Sequence, residues 1–98
     1  MPTFVSLTNY TQDGIELLAE MDEDEFLQQS RAEAAAHGGE IKDVYFTLGR
    51  YDAVVITEFP DAESATKTLM SILQDGAAET ETMRAFTESE TRELIGSL

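Results

Sequence analysis

Arg84, Glu58, Tyr45 and Ser6 are the side chains with which this chain could do chemistry. Arg84 offers a planar guanidinium for an anion or a carbonyl. Glu58 offers a carboxylate that would act as base or counter-ion, and Tyr45 and Ser6 offer hydroxyls to orient a bound molecule. Thr8 adds a third hydroxyl. Tyr51 and Asp52, with Arg50 beside them, would line the mouth of such a pocket. A packing role competes with each assignment. Arg84 and Glu58 can pair with one another inside an interface. Asp52 can accept backbone N–H bonds in a tight turn, and Tyr51 can cover the edge of a core. His37 is the only histidine and precedes Gly38-Gly39, a helix stop, where its charged form suits the helix dipole. We keep it as a candidate ligand-binding residue.

Other chemistry finds no footing. One histidine and no cysteine do not make a transition-metal site, and there is no thiolate nucleophile. The run Asp22-Glu23-Asp24-Glu25 lacks the glycine and the spacing of a calcium loop and reads as a solvated helix start. Gly38-Gly39 is followed by no lysine-bearing phosphate loop. No Ser/His/Asp arrangement can be argued. Neither a metal nor a cofactor is expected.

The elements that must position these residues are legible from periodicity. Thr3–Tyr10 alternates as a half-buried strand. Thr11 can cap a short helical turn around Ile15–Met21, and the acidic run then opens a main helix ending at His37. Ile41–Leu48 and Asp52–Phe59 alternate on either side of a short connector, which makes an antiparallel hairpin. Asp61 caps a second helix that Gly76 ends. A last strand runs over about Thr80–Phe86, and Thr87 with Glu90 forms a capping box for a terminal helix. The order β-α-β-β-α-β plus a helix is the ferredoxin-like α+β plan, with both main helices on one face of a four-stranded antiparallel sheet.

Faces follow from alternation. We expect the helices to cover Val5, Leu7, Val44, Phe46, Leu48, Met83 and Ala85. The open face then carries Phe4, Ser6, Thr8, Tyr10, Tyr45, Thr47, Thr82, Arg84 and Phe86. The third strand is ambiguous. We place Glu58 on the open side, since a carboxylate under helices is costly without a partner.

At 98 residues the chain has room for one domain (residues 1–98) with a thin core. Twenty acidic residues against six basic ones give a net charge of −14. The acids are scattered over every segment, which favours a solvated, halophile-like surface over a basic-partner dock or a divalent-cation site. Nucleic acid is not expected as a partner, because phosphates need clustered Lys or Arg. No apolar run approaches the roughly 20 residues of a membrane span. No basic, apolar leader is visible, so the expected compartment is the cytoplasm.

Three segments carry a resemblance: LTNYTQDGI, HGGEIKDVYFTLGRYDAVVITEFPDAESA and TETMRAFTESE. In order and spacing they resemble the GYD-domain family. The glycine–tyrosine–aspartate motif stands as Gly49, Tyr51 and Asp52, with Arg50 inserted. The resemblance implies a dimeric α/β-barrel fold, hence a homodimer or higher homo-oligomer with facing sheets. It implies no particular chemistry. The first functional expectation is a homodimeric small-molecule binding or sensing module with its pocket between sheet face and partner. The alternatives are a cofactor-independent monooxygenase or isomerase of dimeric-barrel type, and a structural assembly protein without a ligand.

Overall fold

The computed structural model describes all 98 residues, with the side chain of Glu23 left aside. Chain order is β1 (Thr3–Tyr10), α1 (Gln12–Glu20), α2 (Glu23–Ala36), β2 (Glu40–Phe46), β3 (Ala53–Glu58), α3 (Ala62–Leu73), β4 (Ala78–Ala85) and α4 (Glu88–Gly96). The strands form one antiparallel sheet in the order β2-β3-β1-β4, the ferredoxin-like arrangement. The two most apolar strands, β1 and β3, are central.

The helices begin where the capping residues stand. Thr11, Asp22, Asp61 and Thr87 each accept a backbone N–H of the first turn, which satisfies one of the donors that a helix start leaves open. Thr87 and Glu90 make the reciprocal capping box. α2 packs against α3 and over β2. Beneath them Phe4, Phe59, Ala34 and Ala65 form the buried cluster, with the Phe4 and Phe59 rings edge-to-face at 6.2 Å. Ala34 and Ala65 are small, which lets helix and sheet approach closely here. Gly39 serves the same end: a Cβ on it would stand 2.2 Å from the Phe59 ring.

The strand faces correct the expectation drawn from alternation. On β1 it is Phe4 and Ser6 that are buried under the helices, with Thr8 and Tyr10 on their side. Val5 and Leu7 face the other way. Through the β1–β4 register, Thr80 and Thr82 join the helix side, while Met83 and Ala85 join Val5 and Thr3 on the open side. Arg84, opposite Phe4, also belongs to the helix side by parity, not to the open face. Leu48, expected beneath the helices, lies beyond the end of β2 and is fully exposed. Phe86, beyond the end of β4, is half-exposed and carries the Arg84 guanidinium 4.4 Å above its ring. Val44 does lie on the helix side, and Tyr45 and Glu58 on the open side. The reason for the error is chemical. The purely aliphatic pair of β1, Val5 and Leu7, lies on the side away from the helices, while the covered side mixes Phe4 with the hydroxyls of Ser6 and Thr8, so reading the more apolar set as the covered one gives the wrong sign.

β2 contains an irregularity. Ile41 pairs with Thr57 but Asp43 pairs with Ile56, so Lys42 is an extra residue in the edge strand. The bulge puts Ile41 against the core cluster and Asp43 on the open face. α4 leaves the end of β4 and packs little on the rest: of its residues only Glu90 is half-buried.

Candidate functional site

Between the helix layer and the sheet lies a cavity of about 300 Å³. Its floor is the helix side of the sheet and its roof is α1, α2 and α3. The floor carries a run of hydroxyls. Ser6 Oγ and Thr82 Oγ1 are 2.8 Å apart, and Thr82 Oγ1 lies 3.2 Å from Thr80 Oγ1. Thr8 pairs with Thr80 across the ladder, and Thr57 stands on β3. Each hydroxyl both donates and accepts, so the row can meet either kind of polar group. The roof is mostly apolar: Leu17, Phe26, Leu27, Leu69, Ile72 and Leu73.

A void of this size is not ordinary packing. Interiors close-packed like organic crystals leave few gaps larger than a water. Were this one closed and dry, it would cost roughly 7 kcal/mol at about 24 cal/mol per Å³, comparable to the whole stability of a small domain. The polar floor means that water or a ligand can occupy it instead.

Tyr10 stands at one end, its ring edge-to-face with Phe26 at 6.3 Å. Burial, and then the Asp52 carboxylate, raise its phenol above the usual value, so it stays protonated at neutral pH. The same end is closed by Thr11 and Gly14. Thr11 donates its hydroxyl to the Gly76 carbonyl at 2.8 Å, and its N–H to the Ala77 carbonyl at 3.0 Å. Gly14 sits directly on that turn: a Cβ would come 1.9 Å from the Ala77 oxygen. Only glycine lets α1 approach this closely.

The eight residues singled out from the sequence do not meet in one place. Ser6 and Thr8 line the cavity. Tyr45 and Glu58 are on the opposite face of the sheet. Glu58 does not pair with Arg84; its carboxylate meets Lys42 at 3.5 Å and the N-terminal ammonium at 4.0 Å. Arg84 instead reaches Glu90 of α4 at 3.2 Å and donates to the carbonyls of Thr3 and Ala85. His37 caps α2 beside Glu33 at 3.5 Å and does not line the cavity. Tyr51 donates its hydroxyl to Glu81 at 2.7 Å. That bond raises the Tyr51 phenol, with smaller contributions from burial and from the Glu81 charge, against an opposing Arg50.

Asp52 ties three segments together. Its carboxylate accepts the Tyr10 N–H at 2.9 Å, its own N–H donates to the Thr8 carbonyl at 2.9 Å, and its carbonyl accepts the Thr47 N–H at 2.8 Å. It therefore fastens the β2–β3 hairpin to the end of β1, next to the cavity. Sequence reasoning misses Tyr10, Thr80 and Thr82 as cavity residues. Their signal is the run of hydroxyls at alternate positions in β1 and β4, which alternation alone assigns to the other face.

The open face presents Val5, Leu7, Val54 and Ile56 at its centre, with Tyr45 and Met83 exposed beside them. Residues 4–95 match the GYD domain family. The chain belongs to that family. A curated relative, the glutamine synthetase and cystathionine beta-lyase binding protein of Thermus thermophilus, is 29% identical over 85 residues, spanning 87% of this GYD domain and 88% of the relative. Among solved structures, FFRP-DM1 is similar at a TM-score of 0.58 with 20% identity, covering 88% of this chain and 100% of that one. A hypothetical protein from Pyrococcus horikoshii gives 0.57 with 19% identity, covering 90% and 93%. These likenesses are of fold. No helix of the GYD domain is long and apolar enough to cross a membrane among the described residues.

Proposed function

We propose that this GYD domain is a homodimeric small-molecule binding module whose ligand occupies the cavity between the helices and the sheet. This moves the ligand from the sheet–partner interface, where the sequence suggests it, to the opposite side of the same sheet. The observation that carries the reading is the hydroxyl-floored, apolar-roofed cavity of about 300 Å³. Concave sites with a largely apolar wall and a few convergent polar groups are the usual form of a small-molecule site. The dimer is supported by the open face. Val5, Leu7, Val54, Ile56, Tyr45 and Met83 make an apolar sheet surface that pairing would remove from water.

Two measurements test the reading. A thermal-shift and NMR screen with a chemically broad set of metabolites should find molecules that move the Thr80 and Thr82 resonances. Thr80→Phe, which fills the cavity, should abolish that binding without lowering the melting temperature. A screen with no stabiliser removes the ligand. Light scattering should give the mass of two chains, and Ile56→Lys on the open face should give one. A monomeric parent at every salt concentration removes the dimer.

The name of the Thermus relative favours a second reading, in which the domain docks on a metabolic enzyme. Co-migration with the host's own glutamine synthetase or cystathionine beta-lyase would support it, and separate elution of both would remove it. An enzymatic role for the cavity has less to build on, since the sole histidine, His37, is not in its wall.

A further inference from the structure

Among the described residues, every charged side chain in the cavity wall is an acid. Glu33 stands in the wall from α2, and Asp75 from the turn that follows α3. None of the six lysines and arginines is there, and neither is His37. The last turn of α3, with Ile72 and Leu73 in the roof, brings the negative end of a helix dipole to the Asp75 end. A carboxylate or phosphate placed in this cavity would meet two like charges and no cation in the wall; the imidazole of His37, 3.5 Å from the Glu33 carboxylate, stands outside it. Such an anion would also have to enter a chain of net charge −14. A cation gains from each of the same features. The apolar roof supplies contact for a hydrocarbon body, and the hydroxyls Ser6, Thr80 and Thr82 accept N–H bonds as readily as they donate. Volume sets the scale: about 300 Å³ equals about ten waters of liquid volume, which suits a ring with a short chain.

We infer that the cavity selects a small amphipathic amine, an apolar body bearing one ammonium group, and rejects the corresponding anion. The inference rests on the ligand-site reading above and names the class of molecule that site takes.

Three probes of one shape test it: 2-phenylethylamine, 2-phenylethanol and 3-phenylpropionate. Titrations followed by NMR run in 1 M NaCl, where the Debye length is about 3 Å, so attraction to the distant surface acids is screened. The amine should bind about tenfold more tightly than the alcohol, a difference of about 1.4 kcal/mol, and the carboxylate should not bind. Shifts should centre on Phe26, Thr80 and Thr82. In the double variant Glu33→Gln, Asp75→Asn the amine should fall to the level of the alcohol while the alcohol is unchanged. Asn at this position keeps an oxygen to accept the Ala77 N–H that Asp75 now accepts at 3.1 Å, so the turn is retained. If the alcohol or the carboxylate binds as tightly as the amine, or the double variant keeps the amine's advantage, the inference is overturned and the ligand site stands. If no probe binds, the inference is overturned, and the broad metabolite screen decides by itself whether the ligand site stands.

Discussion

At the scale of single residues, two backbone-directed positions matter more than the polar side chains that first attract attention. Gly14 lies against the Ala77 carbonyl, and Gly14→Ala must push α1 off the turn before β4. We expect a loss of about 1–3 kcal/mol, the range for inserting a methyl into a filled contact, read as a lowered melting temperature. An unchanged melting temperature would mean that α1 is not held there. Asp52→Ala removes the acceptor of the Tyr10 N–H and should cost about 1.5–3 kcal/mol, while Asp52→Asn should cost less. Equal losses for the two would show that charge, and not the acceptor, is what counts. Of the residues expected to bind a ligand, Asp52 does accept a backbone N–H, but that of Tyr10 in β1 and not one in its own turn, a long-range partner that local sequence does not show. Arg84 was no more legible. Nothing in its local sequence says that it will prefer Glu90, six residues on, to Glu58 across the sheet.

At the scale of elements, the helices were legible because their starts are written in short-range chemistry. A threonine or aspartate that accepts a first-turn N–H needs no tertiary partner, and all four caps stand where such residues occur. The strands were legible as strands and illegible as faces. In a sheet with one wet side, apolar positions mark the core; here Val5 and Leu7 are more apolar than Ser6 and Thr8 on the side that faces the helices, so the rule points the wrong way. The deciding contact, Phe4 on Phe59 and Ala34, joins residues far apart in sequence. α4 offers a test of capping free of packing. Thr87→Ala should loosen α4 by about 1 kcal/mol, seen as faster amide exchange over residues 91–95, with the global melting temperature unmoved. Concerted loss of the whole fold would contradict the lone position of this helix. The pH dependence has the same origin. The Thr87 N–H, and then Arg84, hold the Glu90 carboxyl below its ordinary value of 4.5. A carboxyl depressed in the folded state stabilises above its unfolded pKa and ceases to do so as pH falls through the depressed value. α4 should therefore be intact at neutral pH and lose protection progressively below about pH 4.5, the ordinary carboxylate range. Protection that rises on acidification would refute the assignment.

At the scale of the whole molecule, charge outweighs every other influence outside the core. Ion pairs such as Lys67–Glu63 and Arg92–Glu88 are exposed and contribute little each. Most of the acids have no cation to face, since six basic residues serve twenty. Raising salt from 0.01 M to 1 M shortens the Debye length from about 30 Å to about 3 Å, and self-repulsion should fade accordingly. We expect the melting temperature to rise by at least about 5 °C, equivalent to about 1 kcal/mol for a domain of this size. A flat or falling curve would dismiss a salt-adapted surface. The fold was readable at this scale and the position of the cavity was not, because a cavity is a property of how two layers fail to fill the space between them.

The extra residue at Lys42 reaches further than its own strand. It breaks the regular spacing of main-chain donors and acceptors along one border of the sheet and plants a lysine between Glu40 and Asp43. A border so kinked and charged is a poor template for an incoming strand. Strand-by-strand growth should therefore be turned away at the β2 border, leaving β4 as the one regular edge of the sheet.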